Sequence, residues 1–81
     1  MARAEHNTQT KRRGKALAQK LKKERERQSL TQARLAQLSN ISIETIRAIE
    51  CERVLSPGVF VVSDLVRSLR GNISDWLEEA Q

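Results

Sequence analysis

TQARLAQLSNISIETIRAIE, residues 31–50, divides into two short helical patterns joined by three residues. Thr31 is a strong N-cap type, and the run behind it places Leu35 and Leu38 inward. Ser39, Asn40 and Ile41 interrupt the pattern. Asn is one of the few non-glycine residues that tolerate a left-handed backbone, so Asn40 suits a tight turn. Ser42 then caps a second helix from Ile43 to about Cys51. Ile46 and Ile49 face inward there, while Glu44 and Arg47 lie off the apolar stripe. Ala36 is small where the two helices must cross closely. Leu35, Ile41, Ile46 and Ile49 supply the contact between them. This spacing holds the second helix proud of the surface.

The flanking sequence adds helices on both sides. Residues 15–27 favour a helix with Leu17 and Leu21 one turn apart, and Gln28-Ser29 reads as a turn. Residues 1–14 show no hydrophobic period. They read as a flexible basic arm ending in Lys11-Arg12-Arg13, with Gly14 as a breaker, ahead of a folded domain over 15–81. Val54 to Pro57 reads as a loop, with Pro57 in the first turn of the next helix. Residues 58–69 carry Val59, Val62, Leu65, Val66 and Leu69 at helical spacing. Gly71-Asn72 stops that helix. Ile73 to Ala80 forms a last one, with Ile73, Trp76 and Leu77 inward. The expectation is an all-α chain of five helices behind a basic arm.

Charge is distributed unevenly. The net charge is +5, and 81 residues suffice for one domain. Residues 1–27 hold ten Lys/Arg against three Glu, whereas residues 28–81 hold five Arg against seven Asp/Glu. Such a balance fits a polyanionic partner, either nucleic acid or an acidic membrane surface. No apolar run approaches the roughly 18 residues of a membrane span, and the first ten residues lack the apolar core of a secretion signal. Phe60 and Trp76 are the only aromatic residues, which argues against a base-stacking platform for single strands. Cys51 is the single cysteine. It reads as a small apolar residue in a reducing compartment. His6 falls in the arm without partners. There is no nucleophile–base pair, metal-ligand cluster or glycine-rich phosphate loop, so no catalytic chemistry, metal or cofactor is indicated.

With Leu-Thr-Gln (30–32), Leu-Ala (35–36), Asn-Ile-Ser (40–42), Thr-Ile (45–46), Ile-Glu (49–50), Ser-Pro (56–57) and Ser-Asp-Trp-Leu (74–77) in register, the chain resembles the Cro/repressor helix-turn-helix family, the XRE or lambda-repressor-like group. The resemblance spans roughly residues 15–79. It implies a five-helix fold whose second and third helices read double-stranded DNA. Helix 3 would enter the major groove, with Ile43, Glu44, Thr45 and Arg47 at base edges. Gln32 would face the DNA from the start of helix 2. Thr31 and Ser42, with the backbone N–H groups they cap, would hold phosphates, and so would Arg53. Lys11, Arg12, Arg13 and Lys15 would follow the duplex from the arm. Arg25 and Glu50 occupy places where the family often has a partly buried ion pair.

The resemblance further implies a cytoplasmic, nucleoid-associated regulator, of phage, prophage or plasmid repressor type, bound to an inverted-repeat operator as a weak homodimer or a dimer formed on DNA. The dimer contact would involve Ile73, Trp76, Leu77 and the end of helix 4. Two other roles fit the same residues: the antitoxin of a pair, with a small toxin as partner, and a protein-interaction module on the same fold. The chain departs from the family at three places. Asn40 stands for the usual turn glycine, and Glu52 for a glycine after the Ile-Glu pair. Ile43 and Glu44 replace commoner polar or basic residues at reading positions.

Overall fold

A computed structural model describes residues 8–79. Five helices follow one another: α1 (Thr8–Arg27), α2 (Gln32–Ser39), α3 (Ile43–Glu50), α4 (Val59–Ser68) and α5 (Ile73–Glu79). No strand occurs among the described residues. None of these helices is long and apolar enough to cross a membrane.

The core gathers one stripe from each helix. Leu21, Leu35, Ile46, Ile49, Val62, Leu65, Val66, Leu69 and Trp76 are all buried, with Leu17, Ile41 and Ile73 packed against them. Fully burying an aliphatic side chain contributes about 1.5–3 kcal/mol, so this cluster is the main source of stability. Three expected core residues turn outward instead. In α2 the buried pair is Leu35 and Ser39, one turn apart, which rotates Leu38 to 47% exposure. In α5 the Trp76 ring takes the inward place and Leu77 is left half exposed. Val59, at the head of α4, is also exposed.

The expected arm boundary moves. Helix α1 begins at Thr8, so Lys11, Arg12, Arg13 and Lys15 sit on a regular helix, and Gly14 does not break it. Gly14 is buried, and a Cβ there would lie 2.6 Å from the Leu55 carbonyl oxygen. Close approach of the loop after α3 is thus the reason for glycine. Residues 1–7 of the expected arm lie outside the described residues.

Helix termini show a related inversion. Ser29, Asn40, Glu52 and Arg70 have positive φ, between 59° and 66°, and no glycine does. Three of these end helices by the same six-residue closure. Leu30 N–H donates to Arg25 O (3.0 Å), Arg53 N–H to Ala48 O (2.9 Å) and Gly71 N–H to Val66 O (2.8 Å). Glu52, which stands in place of the glycine expected from the resemblance, adopts the left-handed conformation at φ 66°, and α3 stops at Glu50. Arg70, not Gly71, makes the turn after α4. Gly71 instead leaves room for Trp76, whose Nε1 would be 2.6 Å from an added Cβ. Pro57 lies before the first turn of α4 rather than in it, because Gly58 is the N-cap. Asn72 caps α5, its Oδ1 accepting from Ser74 N–H at 2.8 Å.

Candidate nucleic-acid interface

Both middle helices start as their sequences require. Thr31 Oγ1 accepts from Arg34 N–H at 3.0 Å, and Ser42 Oγ accepts from Thr45 N–H at 3.2 Å. The Ser42 and Thr45 hydroxyls also bond each other at 2.9 Å. Asn40, at φ 61°, returns its N–H to Ala36 O and turns the chain into α3. Helix α3 is amphipathic. Ile46 and Ile49 are almost wholly buried, while Ser42, Glu44 and Arg47 are exposed and Ile43 and Thr45 half-buried. Its first turn thus presents a surface of mixed polar and aliphatic groups.

A polar cluster sets the angle of α3. Arg25 of α1 grips Glu50 through two bonds, Nε to Oε2 at 2.7 Å and Nη2 to Oε1 at 2.9 Å. Its remaining nitrogen donates to Leu30 O at 2.7 Å. The pair is largely sequestered, with side-chain exposures of 10% and 4%. Hydrogen bonding to Glu50 raises the Arg25 pKa above its ordinary value. Gln32 Nε2 joins from α2, donating to Glu50 Oε1 at 3.0 Å. One carboxylate therefore ties α1, α2 and α3 together, and Gln32 is bound within the protein as well as facing outward. Every buried side-chain polar atom among the described residues has a partner.

Beside this cluster lies a shallow depression of about 410 Å³, bordered by Lys22, Gln32, Arg47, Cys51 and Arg53. Arg53 Nε donates to the Cys51 sulfur at 3.2 Å, and that bond holds the thiol pKa below its usual range. Cys51 is exposed, not the packed apolar residue expected, because it stands at the α3 terminus where the chain leaves the core. Arg47 approaches Glu44 at 3.5 Å in an exposed i,i+3 pair. Such pairs contribute about 0–1 kcal/mol, so the guanidinium is readily recruited elsewhere.

Of the residues singled out in the sequence, Gln32, Arg47 and Arg53 meet around this depression, and Ser42, Ile43, Glu44 and Thr45 share the first turn of α3. Thr31 adjoins Gln32 at the α2 start. The four basic residues of the expected arm diverge. Lys11, Arg12 and Lys15 are exposed along α1, whereas Arg13 borders a groove with Ile73 and Leu77 of α5. Lys22, which the sequence did not single out, also borders the depression. The signal lay in the Arg25–Glu50 pair: once that pair fixes the phase of α1, the residue three before Arg25 falls beside α3.

A five-helix body that offers a capped, outward-facing α3 beside a cationic depression is the architecture of a lambda-repressor-like DNA-binding domain. A family profile described as helix-turn-helix matches residues 21–76, and the chain belongs to this Cro/repressor, or XRE-type, family of DNA-binding regulators. Comparison with curated proteins and with solved structures gives no match.

Proposed function

We propose that the protein is a sequence-specific transcriptional repressor of phage, prophage or plasmid type, acting in the cytoplasm on an inverted-repeat operator. The observation that carries this is the first turn of α3: capped by Ser42, solvent-facing, and held at a fixed angle by the Arg25–Glu50–Gln32 cluster. In the major groove, Arg47 donates to a guanine or a phosphate. Glu44 accepts from a cytosine amino group, Ile43 touches a thymine methyl and Thr45 bonds either kind of base. Thr31, Ser42 and Arg53 serve the phosphates on either side, and Gln32 faces the DNA from the start of α2.

One such module reads about 4–6 base pairs, so a second copy supplies the remaining specificity. The groove between α1 and α5, about 430 Å³ and lined by Gly14, Leu17, Leu55, Val59 and Leu77, supports pairing through this face. Phe60, next to Val59, is 83% exposed and offers an aromatic knob for the groove of the other copy. A two-fold interface requires such self-complementarity. In this reading the beginning of α4, rather than its end, joins α5 at the contact.

Selection of bound duplexes from a random pool tests the reading. The expected product is a symmetric site with half-sites about one helical turn apart. Arg47→Ala should weaken binding to it by ~1–3 kcal/mol. Recovery of no enriched duplex would end the proposal. Phe60→Ser should shift sedimentation toward monomer on DNA, and unchanged pairing would remove this face from it.

A further inference from the structure

Helix α1 has two flanks that differ in what they face. Its inward stripe includes Ala18, Leu21 and Arg25. On one side Lys22 borders the depression shared with Arg47 and Arg53, and Arg25 bonds Glu50 of α3. On the other, Leu17 borders the groove against Ile73 and Leu77, and Lys20 stands 5.5 Å from the Trp76 ring centre. The α3 side and the α5 side are thus fixed independently.

Helical phase then places two more cations. At 3.6 residues per turn, Lys11, Lys15 and Lys22 fall within about 40° of one another, over a rise of about 16 Å. Lys22 marks which flank this is, so Lys11 and Lys15 continue the α3 side toward the start of α1. Both are exposed. Residues 11–22 contain no acidic residue. The first acid on the flank is Glu26, one turn beyond Lys22, and it approaches Arg25 at 3.9 Å.

We propose that Lys11, Lys15 and Lys22 form a rigid phosphate rail, along which α1 tracks one DNA strand next to the groove entered by α3. The proposal rests on the DNA-binding reading and assigns its backbone footprint. A rail on a formed helix differs from a flexible arm, since the three ammonium groups share one face before the duplex arrives and less chain has to be ordered. Arg12 and Arg13 are excluded: by the same phase they point about 60° or more beyond the flank, and Arg13 borders the α5 groove. The partner recognised is the sugar–phosphate backbone of duplex DNA, irrespective of base sequence.

The test is a salt titration of binding to a selected duplex and to a mixed-sequence duplex. Each lysine–phosphate contact contributes about −0.9 to the slope of log K against log salt. The triple variant Lys11→Gln, Lys15→Gln, Lys22→Gln should flatten the slope by about 2.7 on both duplexes and leave their affinity ratio unchanged. A charge-matched control, Lys23→Gln, Arg27→Gln, Arg70→Gln, removes cations from other faces and should alter the slope by less than about 1. Equal flattening by the two triples would overturn the rail in favour of a general charge effect. An unchanged slope in the first triple would overturn it while the parent still binds DNA. Failure of the parent protein to bind either duplex would sink the DNA-binding reading itself, and the rail with it.

Discussion

Helix α1 meets α3 and α5 by different chemistry. Toward α3 the contact is directional: a two-bond Arg25–Glu50 pair, a third bond to Leu30 O, and Gln32 on the same carboxylate. Toward α5 it is apolar and incompletely closed, with Trp76 buried but Leu77 and Val59 left at an open groove. Hydrophobic burial is largely indifferent to angle, whereas a forked guanidinium–carboxylate pair is not. The side that must hold a helix at a set projection uses the angular interaction, and the other side uses area.

The largest test breaks the directional side. Arg25→Ala or Glu50→Ala strands a buried charge and should cost about 3–5 kcal/mol in chemical unfolding. Replacing both, by Met and Leu, should restore much of that stability. If the double variant is stable yet binds its site poorly, the pair serves orientation. If binding returns with stability, packing alone suffices.

On the apolar side, Gly14→Ala should cost about 1–3 kcal/mol, because the new Cβ meets the Leu55 backbone and not a yielding side chain. Gly58→Ala, with nothing within 4 Å of its added Cβ, is the control and should change thermal stability little.

A smaller effect of opposite sign is expected at the end of α3. Glu52→Gly should stabilise by about 0.5–1 kcal/mol, since glycine adopts the left-handed cap without strain. The smallest effect concerns Arg53. Its bond to Cys51 lowers the thiol pKa and so enlarges the thiolate fraction at neutral pH. Arg53→Ala should slow iodoacetamide alkylation of Cys51. An unchanged rate would mean that the bond does not persist in solution.

Much of the α3 side was legible in the sequence. Thr31 and Ser42 are cap types placed ahead of apolar periodicity, so both starts could be read locally. The buried Arg25–Glu50 pair came from the family resemblance rather than from the residues themselves. What escaped depends on tertiary contact. Gly14 reads as a breaker until Leu55 is seen against it, and Gly71 reads as a turn until Trp76 is. Leu38 and Leu77 satisfy helical spacing, but spacing leaves the stripe centre free by one residue, and Ser39 and Trp76 took the inward places. The Lys22 flank was invisible for the same reason: charge on a helix has no direction until its neighbours are placed.

Glu50 has a consequence for Gln32 that outlasts folding. With Nε2 directed at a carboxylate oxygen, the side-chain amide cannot flip without setting one oxygen against another. Its own oxygen is therefore committed to the opposite side, as a hydrogen-bond acceptor with a settled heading. An amide on a free surface exchanges the headings of its nitrogen and oxygen by flipping; this one keeps its oxygen and its second N–H each on a set heading.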